Sequence, residues 1–546
     1  MKLSLTSRLL KVGSIAHSMS VYMSAMLVQR MLGLARVVLL TYVISKAEMG
    51  HWGLGVMIFT IMAQVVTLGS NHGLVRYVSM YEADGQLEKF FRLAWIWVLC
   101  LAVLLTGVAL VGSRYIFDFA IVLRSFFSGK PQYLQGDAFP WPMVLAILAN
   151  IALLGLYLNL LGFIYGLRAY RLASLVEVLF SVIFTALVAV WVVAEPCALT
   201  LLLSHIAALV VTLIVGGGLL RVGVRRLSRP ALVEAVANEM KGPAPMEPAS
   251  DGDAIAAGVP RQLGLWLDRM VGTTAAKFFQ VIKFGVVAMI GTFVWQGAGY
   301  VSYLMIYLRY GGNHAGPFLV FMQLSQPIVF LANASWAVLF SHVAKRWESN
   351  DRPGAMFVLE TAYKAICLTV MTLTIVLYVT SPFWIKILDT RYQIGDYLSG
   401  LLTFFVMVSN MTMLTVMAKL HERPIVIALA ALAGATLNVI LALLWMPAWG
   451  EVGAARAAGV GMYLGGGMVM LVYLLSSGTR LHKSTYFILS TPALLLLPTY
   501  IVGSLWIVIL PVCVFSPWVF DSRQKDVLRY SVRKGWNLFR GMVSWR

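Results

Sequence analysis

The chain has 546 residues, of which 60% are hydrophobic and 12% are charged, and its formal net charge is +19 at pH 7. So apolar a composition excludes an ordinary soluble protein and is typical of a membrane protein. The four cysteines are scattered along the chain, so the sequence predicts neither a disulfide framework nor a metal site.

Long apolar segments recur along the chain. The hydrocarbon core of a bilayer is about 30 Å thick and a helix rises 1.5 Å per residue, so about 20 apolar residues make one crossing. The sequence therefore predicts an all-α polytopic membrane protein with about fourteen transmembrane helices. The expected spans are 16–43, 52–71, 93–113, 141–167, 172–194, 198–220, 283–308, 316–340, 357–385, 397–418, 424–446, 453–477, 485–500 and 503–520.

The basic residues indicate how the chain is oriented. With both termini in the cytoplasm, the inner loops and tails hold thirty of the 42 Lys and Arg residues, the outer loops hold eight, and four lie in or beside spans. This is the asymmetry that the positive-inside rule describes. We therefore expect a multi-pass membrane protein with cytoplasmic termini. The net charge is then mostly a topological signal, and a nucleic-acid partner is not implied.

Composition changes predict the domain organisation. A segment rich in Pro, Ala and Gly, KGPAPMEPASDGDAIAAGVP, reads as a linker between two six-helix bundles, and an additional pair of helices follows, separated at Pro498 or Gly503. The segments RQLGLWLDRMVG and VLRYSVRKGWNLFRGMV are candidate interfacial helices. The predicted regions are a first bundle over 1–220, a linker over 221–277, a second bundle over 278–480, a helix pair over 481–520 and a basic tail over 521–546.

Two arginines inside the first span are the main candidates for substrate binding. A charge at the bilayer centre costs about 2.5–3.5 kcal/mol on insertion scales, so Arg30 and Arg36 need a reason to be there. Tyr22, Gln29 and Arg36 recur at intervals of seven and share a helix face, with Arg30 at its margin. This polar stripe is expected to face a water-filled cavity and to attract a phosphate. In the alternative interpretation, Arg36 extends outward and Arg30 pairs with a buried carbonyl or carboxylate.

Other polar residues have binding and structural interpretations side by side. Amide side chains within spans can hydrogen-bond sugar hydroxyls or connect helices, and these are Gln64, Gln296, Gln323 and Gln326. Lys283 is a candidate phosphate contact or simply extends to the inner surface.

Structural roles are expected for a second group. Glu360 and Lys364 are spaced for an intrahelical salt bridge. His205 is expected to have a hydrogen-bonded structural role, and Glu177 is expected to reach the inner membrane interface. A cluster at the predicted inner face is suited to anionic lipid headgroups. Its members are Arg76, Tyr77, Tyr81, Lys89 and Arg92.

Three runs between residues 30 and 81 resemble a known family. They are Arg30-Met-Leu-Gly-Leu-Ala-Arg36, then Lys-Ala-Glu48-Met-Gly50-His-Trp52-Gly, then Leu68-Gly-Ser-Asn-His-Gly73-Leu-Val-Arg76-Tyr-Val-Ser-Met-Tyr81, and a later turn, Gly450-Glu-Val-Gly-Ala-Ala455, fits too. The chain resembles polysaccharide biosynthesis proteins of the oligosaccharide flippase type, in the multidrug/oligosaccharidyl-lipid/polysaccharide exporter (MOP) superfamily. The resemblance implies movement of undecaprenyl-diphosphate oligosaccharides from the cytoplasmic to the periplasmic leaflet by alternating access, with the two bundles rocking about a central cavity.

The predicted function is therefore that of a flippase for surface polysaccharide or exopolysaccharide synthesis, with no catalytic residues, cofactor or metal. A lipid-linked oligosaccharide and anionic membrane lipids are the expected partners, and a polysaccharide polymerase is a further candidate. The alternatives are a cation-coupled multidrug exporter of the same superfamily, a peptidoglycan precursor flippase, and a membrane glycan polymerase or ligase. The sequence contains no Gly-rich phosphate loop and no paired catalytic carboxylates, which disfavours an enzyme. The first two spans contain no Asp or Glu, which disfavours the cation-coupled exporter.

Overall fold

The described part of the protein is helical throughout. The computed structural model describes residues 15–83, 87–111, 140–227, 273–393, 395–421, 423, 425–477, 481–530 and 533. No strand occurs within these ranges, and ten of their helical segments are long and apolar enough to cross a membrane. Each of the fourteen predicted spans overlaps a helix. The predicted class, an all-α polytopic membrane protein, is confirmed.

The chain divides into two compact units, residues 1–293 and 294–546. The boundary falls inside one long helix, α8. The helices of the first unit, with α8, are α1 Ile15–Val43, α2 Lys46–Thr67, α3 Ser70–Ala83, α4 Leu87–Val111, α5 Trp141–Gly166, α6 Tyr170–Leu187, α7 Ala198–Leu227 and α8 Thr273–Tyr310.

In the first unit, α5 packs against α2, α3, α4 and α7, while α1 packs along α6. Glycines on one face of α5 allow the close approach. A Cβ atom at Gly155 would lie 2.7 Å from Val66 Cγ1, and one at Gly162 would lie 2.7 Å from the carbonyl oxygen of Asn71. Small residues at such contacts are typical of membrane helices, because close backbone packing replaces the hydrophobic driving force that lipid removes.

Replacing Gly162 with alanine is expected to destabilise the first unit. The new methyl group would collide with the Asn71 backbone, which cannot rotate away as a side chain can. Overpacking of this kind costs about 1–3 kcal/mol. Gly217→Ala is the matched control, because a Cβ atom at Gly217 of α7 has no heavy atom within 4 Å. Thermal unfolding in detergent should show a lower midpoint for Gly162→Ala alone, and equal midpoints for the two variants would contradict this packing.

The second membrane helix ends earlier than predicted, at a break in the backbone. Helix α2 stops at Thr67, and the next two residues, Leu68 and Gly69, both have positive φ angles, 44° and 69°. A Cβ atom at Gly69 would overlap the carbonyl oxygen of Gly285, which belongs to the part of α8 within the first unit. The predicted span 52–71 was wrong at its end, because two successive left-handed residues interrupt the helix.

The second unit is built around α12. The helices, in chain order, are α9 Gly312–Ser325, α10 Val329–Glu348, α11 Arg352–Val379, α12 Leu398–Leu420, α13 Ile425–Gly461, α14 Gly467–Ser476, α15 Lys483–Ser490, α16 Thr499–Phe515 and α17 over 522–530. Helix α12 packs against α10, α11 and α13, and 19 of its 23 residues are buried. Its position explains why this span is apolar on every side.

Two sequence breaks in the second unit lie where the sequence predicted them. Gly450 has a φ angle of 57° inside α13 and separates the predicted spans 424–446 and 453–477. Near the C-terminus, a 3₁₀ segment follows α15, Leu497 is extended, and α16 begins directly after Pro498. The break at Pro498 is confirmed. Gly503, the other residue expected to contribute to this break, lies inside α16.

Parts of the predicted linker and tail lie outside the described residues. Helix α7 extends to Leu227 and so includes the first residues of the predicted linker 221–277. The candidate interfacial helix at 261–272 is outside the described ranges, as is most of the one at 527–543. The predicted domain limits therefore stay predictions.

Candidate functional site

The candidate site in the first unit begins with polar residues at helical spacing on α6. Glu177, Ser181 and Thr185 follow one another at intervals of four and so share one face of this helix. The polar stripe that was predicted on α1 packs against this face. We refer to these contacts as the α1/α6 interface. One hydrogen bond across it is donated by Ser181 Oγ to the carbonyl oxygen of Gln29, at 3.4 Å.

Glu177 is the centre of the α1/α6 interface. Its side chain is buried, with 7% exposed, and both the Tyr165 and Tyr22 hydroxyl groups donate to its Oε1. The hydroxyl oxygens of Tyr22 and Tyr165 lie 3.0 Å apart. Its other oxygen, Oε2, is buried and has no hydrogen-bond partner in the described residues. The prediction that Glu177 reaches the inner interface was wrong, because Tyr22 of α1 and Tyr165 of α5 hold it between helices.

Arg30 lies near the middle of α1 and interacts electrostatically with Glu177. The two charged groups form no ion pair within 4.0 Å. The Nε atom of Arg30 is buried and finds no acceptor among the described residues. Arg30 is therefore near a carboxylate, as one of the two interpretations expected, but its Nε donor is left without an acceptor in the part of the chain that the structure describes.

Arg36 is held by α6 through two contacts. Its Nη1 donates to Thr185 Oγ1 at 3.2 Å, and its Cζ lies 4.2 Å from the centre of the Phe184 ring. A cation above an aromatic face gains roughly 0.5–2 kcal/mol, more where water is excluded. Both partners of Arg36 in these contacts belong to α6.

The predicted amide and lysine residues are distributed over both units. Gln64 of α2 is buried, and its Oε1 has no partner in the described residues. Lys283 of α8 is exposed. In the second unit, the Oε1 of Gln296 is buried without a partner in the described residues, Gln323 is half-buried, and Gln326 is exposed at the start of a 3₁₀ turn. Neither Gln64 nor Lys283 belongs to α1 or α6.

Two structural interpretations are confirmed. Lys364 Nζ lies 3.0 Å from Glu360 Oε1, which also accepts from the backbone nitrogen of His482 and from Thr485 Oγ1. This carboxylate therefore ties α11 to the start of α15. His205 is buried and its Nδ1 lies 2.6 Å from Asn150 Oδ1, so it has the hydrogen bond that was expected.

The basic and aromatic cluster at the predicted inner face does not act as one surface. Tyr81 is fully buried and stacks on Phe90 with ring centroids 3.8 Å apart, so it belongs to the core. Arg92 and Lys89 are exposed on α4. The side chain of Arg76 lies outside the described set. Within that set, no group of three or more His, Cys, Asp or Glu residues is placed to hold a metal ion.

Sequence reasoning missed Tyr165 and the role of Glu177. The signal that could have identified Glu177 is its spacing with Ser181 and Thr185, which marks a polar face on a helix of high mean hydropathy, 2.5. An ionisable residue within a span that faces other polar residues is by default a candidate functional group. Together, the interface offers an arginine whose Nε has no acceptor in the described ranges, beside a carboxylate held by two phenols, within a membrane helix bundle.

No protein-family model and no curated protein matches the chain. Solved structures do. The lipid II flippase MurJ in an inward closed conformation is 13% identical, with a TM-score of 0.59, over 91% of this chain and 98% of that one. An inward-facing multidrug resistance MATE family transporter of the MOP superfamily is 12% identical, with a TM-score of 0.55, over 83% and 96%. A MATE transporter from Vibrio cholerae is 10% identical, with a TM-score of 0.53, over 88% and 99%.

These similarities establish the fold. The chain has the fold of solved structures that are described as a lipid II flippase and as MATE transporters of the MOP superfamily. The neighbours include both a lipid flippase and drug transporters, so the fold alone does not identify the cargo.

Proposed function

We propose that the protein is a flippase that moves an undecaprenyl-diphosphate-linked oligosaccharide across a bacterial inner membrane by alternating access, for synthesis of a surface polysaccharide. The fold of a transporter and the apolar, multi-helical architecture support this proposal. The single observation that carries it is Arg30, whose buried Nε has no acceptor in the described residues although it lies in a membrane helix.

An unused guanidinium donor in this position suits a phosphorylated lipid. Burying a donor without a partner costs about 1–3 kcal/mol, so such a group is expected to bind a ligand in the working protein. A diphosphate offers oxygens that match the planar donors of arginine, and arginine stays charged at any physiological pH. Glu177 lies close enough to lower the cost of the charge but does not occupy the donors.

Amide groups are the proposed contacts for the sugars. The Oε1 atoms of Gln64 and Gln296 are buried with no partner in the described residues, so they are not the acceptors that connect helices. Such acceptors are available for sugar hydroxyl groups. Gln323, Gln326 and Lys283 are proposed as further contacts at more exposed positions, Lys283 for phosphate. Gln64 and Lys283 are proposed contacts in the first unit, and Gln296, Gln323 and Gln326 are proposed contacts in the second unit.

Glu177 supports a second candidate, a cation-coupled multidrug exporter. Coupling to protons or sodium requires an ionisable ligand such as a carboxylate; the predicted spans 16–43 and 52–71 contain no Asp or Glu, and Glu48 lies in the first turn of α2. The structure brings a buried carboxylate from α6 to the first span, where Tyr22 donates to it. The absence of acidic residues from the first two spans therefore does not by itself exclude this candidate.

Reconstitution separates the two candidates. Purified protein in vesicles of phosphatidylethanolamine and phosphatidylglycerol is given either an undecaprenyl-diphosphate oligosaccharide or the cationic dye ethidium with an imposed proton or sodium gradient. The flippase proposal expects protein-dependent appearance of the oligosaccharide on the opposite leaflet, detected with a glycosidase that cannot cross the membrane. Gradient-driven movement of ethidium, with no movement of the oligosaccharide, would overturn the flippase proposal and support the cation-coupled exporter.

A further inference from the structure

A second basic site lies away from the α1/α6 interface, in a groove between α4 and α7. The groove has a volume of about 220 Å³, and three arginines line it: Arg92 of α4, and Arg221 and Arg225 of α7. Arg221 and Arg225 are four residues apart and so project from the same side of α7. All three arginines are exposed, and they lie at the helix ends that the basic-residue distribution predicts to be cytoplasmic.

One carboxylate accompanies the three arginines. Glu88, in the first turn of α4, also lines the groove, and its Oε1 lies 3.8 Å from Arg225 Nε. Both side chains of this pair are about half exposed, 57% for Arg225 and 43% for Glu88, so water screens the pair and its contribution to stability is small. The groove therefore keeps an excess of two positive charges for an external anion.

Aromatic side chains form the rest of the groove wall. Phe91 and Trp95 line it, with their rings packed edge to face at a centroid distance of 6.0 Å. The Nε1 donor of Trp95 is buried and has no acceptor in the described residues. Tryptophan with arginine is the combination found at the membrane–water interface, where an apolar ring and a polar group meet the headgroup region.

The helices that form the groove continue as apolar faces. On α4, Ile96, Leu99 and Val103 are 52%, 52% and 67% exposed and follow one another at intervals of three and four. On α7, Ile214 is 70% exposed and Val222 is 42% exposed. A ligand with an anionic head in the groove would therefore place its hydrocarbon chains along exposed apolar side chains of the same two helices.

We propose that this groove binds the phosphate headgroup of an anionic membrane phospholipid, with Arg92, Arg221 and Arg225 as its cationic contacts and the apolar faces of α4 and α7 beneath its acyl chains. Membrane lipid is the occupant that fits both parts of the site, because a free phosphate has no use for the apolar faces. The site is separate from Arg30 and does not depend on the proposed cargo.

The test measures lipid binding to delipidated full-length protein in detergent. Dioleoyl-phosphatidylglycerol, dioleoyl-phosphatidylcholine, undecaprenyl diphosphate and inorganic phosphate are titrated separately, with bound lipid counted by native mass spectrometry. The double variant Arg221→Gln/Arg225→Gln is expected to weaken the tightest phosphatidylglycerol binding at least tenfold. Arg168→Gln/Arg171→Gln removes the same charge at the same predicted side of the first unit, but neither residue lines the groove, so this control is expected to bind normally.

A variant with the opposite effect keeps the test independent of folding damage. Glu88→Gln removes the competing carboxylate and is expected to tighten phosphatidylglycerol binding about threefold, a change that misfolding does not produce. Equal loss in the control pair, equal affinity for phosphatidylcholine, or displacement of the lipid by millimolar inorganic phosphate would overturn the proposal. Exclusive binding of undecaprenyl diphosphate would also overturn it, because the groove would then be a cargo site.

Discussion

Replacing Arg30 with alanine is expected to lower the transbilayer movement of a lipid-linked oligosaccharide about 10- to 100-fold in reconstituted vesicles. The guanidinium is the cationic donor that we assign to the diphosphate, and its Nε has no acceptor among the described residues. A hydrogen bond to a charged group contributes about 1.5–3 kcal/mol, and each 1.4 kcal/mol changes an equilibrium constant tenfold. The measurement is the initial rate at which the oligosaccharide becomes accessible to an external glycosidase.

Two further variants sharpen the result. Arg30→Lys keeps the charge but loses the planar paired donors, so an intermediate rate is expected. Arg309→Ala removes an arginine at the end of α8, where its Cζ lies 5.6 Å from the centre of the Tyr310 ring, and is expected to leave the rate unchanged. All variants are compared at equal protein incorporation. An unaltered rate for Arg30→Ala would remove this residue from the proposed site.

The sequence predicted the polar residues on the α1 side of the α1/α6 interface but not their partners on α6. Charged residues in a membrane helix are costly, so Arg30 and Arg36 could be identified from one helix alone. Their partners could not, because Tyr22 and Glu177 are 155 residues apart in the chain and meet only when α1 packs on α6. No local pattern specifies which two helices pack together. The sequence therefore identified the charges but did not predict which helix their polar face would contact.

The fold shows a similar division between local and tertiary causes. Hydropathy locates the helices because a crossing demands length and apolarity, and each predicted span overlaps a helix in the described residues, although the α-helix at the start of 485–500 has only eight residues. The breaks at Gly450 and Pro498 could also be predicted, because glycine and proline commonly interrupt helices. The break at Leu68 was not visible, since leucine rarely adopts a positive φ angle and the neighbouring Gly69 is required by the nearby backbone of Gly285.

The family-like motifs in the sequence have structural explanations. In the run from Leu68 to Tyr81, Gly69 supplies the helix break, and a Cβ atom at Gly73 would lie 2.6 Å from the carbonyl oxygen of Val281. In the later turn, Gly450 reverses the chain, while Glu451 accepts from Tyr397 and pairs with His314. These residues determine how helices pack and turn, which is why the motifs indicate a fold more strongly than a cargo.

Glu177→Gln is expected to destabilise the protein through Arg30, and the two positions should be energetically coupled. Glutamine keeps an oxygen that can accept from Tyr22 and Tyr165 but removes the negative charge that compensates Arg30. Residues that share such a network usually show coupling energies of about 0.5–3 kcal/mol. The measurement is a double-mutant cycle on thermal unfolding in detergent, using Glu177→Gln, Arg30→Gln and the combined variant.

The combined variant is the informative member of the cycle. Removing one partner leaves an uncompensated charge in the bundle, whereas removing both leaves none, so the combined variant should be more stable than the sum of the single losses predicts. Thr185→Val with Glu177→Gln is the matched control, since Thr185 lies on the same face of α6 but contacts Arg36 and not Arg30. Additive losses for Glu177 with Arg30 would show that the two charges do not interact. The same Glu177→Gln protein also tests function, because a flippase that binds its cargo through Arg30 should retain transport, whereas an exporter that is coupled through this carboxylate should lose it.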